Sequence, residues 1–436
     1  METKIYDLII LGNGFQASLI FAQAVNKGLK VALASKGSAL ESLDLNHFQI
    51  VEPYSINLLK YKYLIKNLRK SFAHMLLATE SEFVVEMNPI KKILLKLKAI
   101  FIRKNIIFKS NPGQFSIQYI QVSGYKFSIV RMTVALLKEA VKSGGSVFQH
   151  AKFAVEEIDE NGYSTIILKQ PVKDPVKISV KNILSFYEEN PIKKSAPESS
   201  ILHSNHQIYF FTYPAKGLNI QKNIIYEDKE KKIFIVPWFD IIYFDCRVKG
   251  VVPLVPEEMI NFIIQKLLNF KLDKSLIHPW ENNSIRTLYQ NKFWIYFYTG
   301  KKQILLKYRP LLEWFDYSNK ICNQLINETT KVCKTDSLIG KTIFSGSDLP
   351  DISNPLRIME YADELYDLAK QIMPNPIKFK KLFYTYGTDI EIIIDMAYEF
   401  WNKTKNTDEA WEKAELWYAM NHEFCENESD FYNQRI

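Results

Sequence analysis

The chain is poor in the residues that staple, punctuate or span. Its four cysteines (Cys246, Cys322, Cys333, Cys425) are scattered over 436 residues and form no Cys-x-x-Cys pair. That excludes a zinc knuckle and a disulfide framework and points to a reducing compartment. Glycine (15) and proline (17) are too scarce for a collagen-like, low-complexity or linker-dominated protein. No run approaches the roughly 20 apolar residues of a membrane-spanning helix, and no charged leader precedes the first apolar run. The expected location is cytoplasmic, with peripheral attachment at the inner membrane face as the other option. Also missing are His-Glu-x-x-His, a Gly-Lys-Ser phosphate loop and a Gly-x-Ser-x-Gly elbow, so hydrolase and nucleotide-triphosphatase classes have no support. The seven histidines and the scattered carboxylates show no metal-ligand spacing, so no metal site is expected.

What is present is apolar material: 47% hydrophobic and 14% aromatic residues, enough to bury more than one core, which predicts two or three domains. The 56 basic and 48 acidic residues leave a net charge of +8, a mild excess without a sequence-specific nucleic-acid motif. Much of it is local. Lys91, Lys92, Lys96, Lys98, Arg103, Lys104 and Lys109 follow one another with no acid between them, and Ile90, Ile93, Leu94 and Leu97 fall on one helical face. This pattern suits a helix lying on an anionic membrane; a solvated basic face, an acidic partner or an RNA backbone accounts for the same cations.

The chain opens on an apolar run, Tyr6 to Leu11, then Gly12-Asn13-Gly14, a helical pattern from Phe15 to Lys27 and a second apolar run from Lys30 to Ala34. That is a β-α-β opening. Helices are also predicted over Pro53 to Met75, Ile90 to Lys104 and Ile129 to Lys142, the last stopping at Ser143-Gly144-Gly145. Short strands are predicted over Val147 to Val155, Ser164 to Lys169, Val176 to Leu184, Gln207 to Thr212, Lys232 to Pro237 and Ile241 to Asp245. A helix is predicted from Ile304 to Leu325, a linker from Lys334 to Pro355 and amphipathic helices from Leu356 to Phe431. The C-terminal aromatics, such as Phe383, Trp411 and Tyr418, recur at helical spacing and read as core.

Several segments, in shared order, resemble the flavin-dependent glycerol-3-phosphate dehydrogenases. Arg131 to Gly145 is similar to the family's helix before a strand, and Lys232-Ile233-Phe234-Ile235-Val236-Pro237-Trp238 to its strand ending in Pro-Trp. Tyr384-Thr385-Tyr386-Gly387-Thr388 resembles a Tyr-Gly-Ser turn, and Ala414 to Tyr418, His422-Glu423, Asp430 and Arg435 resemble the closing helices. The resemblance implies an α/β fold with a discontinuous Rossmann-like FAD-binding-type domain (1–88, 120–190 and 280–328). It further implies a sheet-rich substrate-type domain (191–279) and a small all-α C-terminal domain (356–436). The basic stretch (89–119) is an insertion, and 329–355 is a linker.

Carried over residue by residue, the cofactor positions are Gly12, Gly14, Ala17 in place of a third glycine, Ser35 at the ribose position and Gly300; the catalytic positions are His206, Arg286 and Arg309. Gly12 and Gly14 suit a pyrophosphate cradle, and they equally suit a bare strand-to-helix turn. Ser35 stands where a carboxylate would grip the adenosine ribose. Gln49 and Ile50 replace an Arg-Tyr pair, and a neutral amide lacks the charge and the two-pronged grip of a guanidinium. Bulky Ser185-Phe186-Tyr187-Glu188 replaces an Ala/Thr-Gly-Pro turn that approaches the cofactor without side chains. Arg286 also suits a structural ion pair, and His206 a surface or core position. The expectation is a pseudoenzyme with weak or absent FAD binding that serves a protein partner or ribonucleoprotein; the other reading is a divergent FAD-dependent oxidoreductase.

Overall fold

The computed structural model describes residues 3–40, 48–51, 77–86, 107–110, 117–160, 162–171, 173–187, 204–216, 220–227, 231–249, 261, 263, 278–279, 288–290, 294–299, 302–307, 314–329, 355–428 and 430–431. The chain starts with β1 (Thr3–Leu11), α1 (Gly14–Asn26) and β2 (Val31–Ala34). Next come β3 (Phe48–Val51), β4 (Leu77–Glu86), β5 (Ile107–Ser110), β6 (Ile117–Ser128) and α2 (Ile129–Lys142). They lead into β7 (Ser146–Phe148), β8 (Lys152–Ile158), β9 (Ser164–Lys169) and β10 (Val176–Ser185). The middle holds β11 (Ser204–Pro214), β12 (Asn223–Glu227), β13 (Lys231–Trp238), β14 (Ile241–Lys249), β15 (His278–Pro279) and β16 (Leu288–Gln290). Then follow β17 (Trp294–Thr299), β18 (Lys302–Lys307), α3 (Trp314–Thr329), α4 (Pro355–Ala369), α5 (Pro376–Tyr386), α6 (Ile390–Thr404) and α7 (Thr407–His422).

The strands form two sheets. In the first, β1 lies between β10 and β2, parallel to both; β7 extends β2 in parallel, and β17 and β18 extend β10 antiparallel. β9 also pairs with β10, and β8 with β9. The parallel strands are apolar on both faces, as a sheet covered on both sides requires: Leu8, Ile9, Ile10 and Leu11 are all buried. Helix α1 packs against α2 and α3, and every residue from Gly14 to Val25 is buried. A helix apolar almost all round belongs in a core rather than on a surface.

The second sheet pairs β11 with β14, β14 with β13, β13 with β12 and β4 with β6, all antiparallel, and joins β12 to β4 in parallel. β3, β4 and β6 therefore belong to the second sheet. Strand partners are long-range, and local pattern does not reveal them.

Helix α2 spans the residues expected, capped by the Ser128 hydroxyl, which accepts from the Arg131 amide. The strand expected over Val147 to Val155 is instead two strands. The chain turns at His150 (φ 50°), because Ser35 donates its amide to the Phe148 carbonyl and accepts one from Ala151, tying the bend to β2. The helix expected from Ile304 begins at Trp314; Ile304 to Lys307 pair with β17, an apolar run too short for periodicity to separate strand from helix. The predicted helices over Pro53 to Met75 and Ile90 to Lys104 lie outside the described residues.

The C-terminal helices enclose one core of Phe379, Phe383, Tyr386, Trp411 and Tyr418, with Trp401 and Trp417 packed against it, as their spacing predicts. Buried Trp411 donates its indole N–H to the Ile372 carbonyl. Asn375 and Asn406 cap α5 and α7 through their side-chain oxygens, and Pro376 occupies the first turn of α5. Among the described residues no helix is long and apolar enough to cross a membrane.

These helices are held to α2 by charge. The Arg131 guanidinium grips both carboxylate oxygens of Glu423, donates from Nε to the Thr385 carbonyl (2.7 Å) and lies 4.7 Å from the Tyr386 ring centroid. Two turns further along α2, Lys138 Nζ donates to Asp389 Oδ2 (2.6 Å) and to the Tyr418 hydroxyl (2.8 Å). Glu423 is buried and the Arg131 side chain is only 14% exposed, so removing one leaves the other with little water to replace it. We expect Arg131→Met or Glu423→Met alone to destabilise the fold by about 3–5 kcal/mol in urea unfolding, and the double substitution to recover most of that loss. A second expectation concerns acid. Burial opposes the Asp389 charge, but Lys138 and the Tyr418 hydroxyl outweigh it and hold its pKa below the usual carboxylate value. A folded-state pKa below the unfolded one contributes stability that is present above the unfolded value and is lost as pH falls through the folded one. Melting temperature should therefore drop on acidification below about pH 4, less steeply in Asp389→Asn than in the parent.

Candidate functional site

Gly12 follows the C-terminal end of β1, Gly14 and Ala17 lie in the first turn of α1, and Ser35 follows β2, with the Gly12 amide donating to the Ala34 carbonyl (2.9 Å). Gly14 has φ 76°, a conformation that side chains disfavour, and this permits the sharp passage from β1 into α1. In such a turn the first helical amides and the dipole face an anion. Here the Gly14 amide donates to the Ala39 carbonyl (2.9 Å), and Ala39 and Leu40 are buried in the same cluster as Phe15.

Gly12 is a place of close approach. A methyl group built on its Cα would lie 2.9 Å from the Phe186 Cβ and 3.0 Å from its Cδ2. The register brings this about: β1 and β10 run side by side with Leu11 opposite Ser185, and Phe186 donates its amide to the Leu11 carbonyl (2.8 Å). The Phe186 side chain is buried against the α1 cluster.

The ribose end is also committed. Ser35 is fully buried and its hydroxyl donates to the Gly37 carbonyl (2.7 Å). Tyr187, following Phe186, accepts the Lys36 amide at its hydroxyl (2.8 Å), and the Lys36 ammonium lies 4.9 Å from the Tyr187 ring centroid. Gln149 links this corner to the C-terminus: its side chain accepts from the Ala39 amide and donates to the Phe424 carbonyl. Beside it His150 Nε2 lies 3.2 Å from Asp430 Oδ2.

The chain's own groups fill the turn: the Phe186 side chain lies on Gly12, the Gly14 amide donates to Ala39 and the Ser35 hydroxyl donates to Gly37. Sequence reasoning identified Ser185 to Glu188 as bulky, but not that Phe186 covers the phosphate turn while Tyr187 covers the strand end. The β-strand alternation of side chains was the available signal.

Of the other candidate positions, His206 falls within the described residues. His206 sits on β11 in the second sheet, in register with Lys249 on one side and Leu288 on the other. Arg286, Gly300 and Arg309 lie outside the described residues. Thr299 and Lys302, flanking Gly300, pair with each other, and Thr299 is opposite Asn182, back along β10 from Ser185.

A cleft of about 300 Å³ opens between α2, the β13–β14 turn and the C-terminal helices, lined by Arg131, Trp238, Asp240, Lys378, Lys381 and Tyr386 among others. Its charged groups answer one another: Arg131 with Glu423, Lys381 with Asp240 (3.3 Å), Lys378 with Asp408 (2.8 Å). Nearby, Lys126 is buried, donates to the Pro237 carbonyl and lies 5.6 Å from the Trp238 ring centroid. Burial pushes its ammonium down to about 8, a residue that sequence pattern did not single out.

The sequence matches no family model and no curated protein. The fold has solved counterparts. A Bacillus halodurans glycerol-3-phosphate dehydrogenase complexed with FAD superposes with a TM-score of 0.67 at 13% identity, over 99% of this chain and 86% of that one. An L-alpha-glycerophosphate oxidase from Mycoplasma pneumoniae with FAD bound gives 0.52 at 14% identity, over 80% of this chain and 100% of that one. An L-proline dehydrogenase from P. horikoshii gives 0.50 at 13% identity, over 78% and 96%. The chain shares the fold of these oxidoreductases, as the resemblance implied.

The Gly12 geometry carries its own test. Gly12→Ala should cost about 1–3 kcal/mol by overpacking against Phe186. In a Phe186→Gly background the same substitution should cost clearly less, and a double-mutant cycle from urea titrations measures the difference.

Proposed function

We propose that this chain is a glycerol-3-phosphate dehydrogenase-like protein with eroded flavin and substrate sites, a pseudoenzyme that serves as a protein-binding or scaffolding module. The observation that carries this reading is the Phe186 ring seated on Gly12. Loss of the ribose carboxylate at Ser35 and of the Arg-Tyr pair at Gln49 and Ile50 points the same way. Each lost contact to a charged or buried polar partner weakens binding by about 1–3 kcal/mol, and several together prevent flavin retention. What is kept is the architecture: the parallel sheet, the second sheet and the clamp between α2 and the C-terminal helices. A partner surface needs that rigidity and no cofactor. In this reading a protein or ribonucleoprotein is the natural partner, and Lys91, Lys92, Lys96, Lys98, Arg103 and Lys104 supply a cationic contact for it or for an anionic membrane surface.

A second reading has its own support, since two of the solved counterparts hold FAD and Gly12 and Gly14 are retained here. Under it the chain is a divergent FAD-dependent oxidoreductase of glycerol-3-phosphate or a related small polyol phosphate or hydroxy acid. Flavin content separates the two. Protein purified without added cofactor should be colourless, with no stoichiometric flavin in a denatured extract. A dye-coupled assay with glycerol-3-phosphate and added FAD should show no turnover near the ordinary enzyme median of about 10 per second. A yellow protein with such turnover would establish the second reading.

A further inference from the structure

We infer that Phe186 is a plug: it holds the space over Gly12 that a dinucleotide's pyrophosphate would need, and so lets this Rossmann-like unit fold without a ligand. The inference rests on the eroded-site reading and names the residue that closes the site. Phe186 is the first residue after β10, and the bond from its amide to the Leu11 carbonyl ties its backbone to the end of β1 beside Gly12. The ring packs into the cluster that contains Phe15 and Leu40 at the start of α1. Apolar groups thereby occupy the mouth of a helix whose dipole favours an anion.

Two buried polar groups lie in the first two turns around the start of α1. Asn13, the N-cap residue of α1, is 6% exposed, and neither its Oδ1 nor the fully buried Ser18 Oγ has a hydrogen-bond partner among the described residues. Buried polar atoms normally find partners, and orphans at this helix start mark a place where polar contacts have been given up. Tyr187 acts separately: its ring lies over Lys36 beyond Ser35, away from Gly12, and so it guards the adenosine end rather than the phosphate turn. Removing the Phe186 ring should reopen the phosphate turn while leaving the adenosine end covered. The ligand gained is then a compact one that carries a pyrophosphate.

The experiment compares the full chain with Phe186→Gly, Phe186→Ala and Tyr187→Ala, each checked for cooperative melting, and titrates inorganic pyrophosphate calorimetrically and FAD by fluorescence quenching. Both Phe186 variants should bind pyrophosphate at least about tenfold more tightly than the parent, and Tyr187→Ala should bind as the parent does. If the glycine variant does not fold, the alanine variant, which keeps Cβ but lacks the ring, carries the same expectation. Folded Phe186 variants that bind pyrophosphate no better than the parent overturn the plug and leave the eroded-site reading standing. A gain equal in Tyr187→Ala also overturns it, because closure would then not belong to Phe186. Stoichiometric FAD in the parent overturns the eroded-site reading itself, and the plug with it.

Discussion

The parallel pairing of β1 with β10 is the constraint on which the rest of this protein turns. It sets Leu11 opposite Ser185, so whatever follows Ser185 must lie on the strand-to-helix turn at Gly12. With a small residue there, such a turn offers amides and a helix dipole to a phosphate. Phe186 makes the same backbone geometry a packed core. Gly12 is then needed for a reason opposite to the usual one, since its missing side chain makes room for a protein ring rather than for a ligand.

A second long-range constraint lies between α2 and the C-terminal helices. Arg131 and Glu423 are 292 positions apart, yet they meet in a buried two-pronged ion pair, and the segments that carry them are among those whose resemblance to the dehydrogenases is most legible. Lys138, Asp389 and Tyr418 form a second charged contact two helical turns further along α2. A buried pair of this kind is costly to dismantle one residue at a time, because each single loss leaves an uncompensated charge. The clamp between α2 and the C-terminal helices is thus protected by the cost of breaking it, while the turn at Gly12 is filled by Phe186.

The fold was legible wherever local pattern decides it. The β1–α1–β2 opening, α2 with its Ser128 cap and the aromatic core of the C-terminal helices follow from periodicity, capping and burial. Ile304 to Lys307 were misread because a short apolar run satisfies both a strand and a helix. The turn at His150 was missed because its cause, the exchange of amides with Ser35, lies more than a hundred positions away. The substitution at Ser35 could be read from the sequence, but its inward hydrogen bond to Gly37 could not.

The sequence alone determined which side chains were available: a serine at position 35, glutamine and isoleucine at 49 and 50, and two bulky aromatics at 186 and 187. These are matters of chemical identity, and no packing alters them. Only the tertiary structure decided what those groups touch: Phe186 on Gly12, Tyr187 beside Lys36, β4 and β6 in the second sheet, Arg131 against Glu423. Each contact joins residues far apart in the chain, where strand register and the burial of charge select the partner, and neither quantity is a property of a local stretch of sequence.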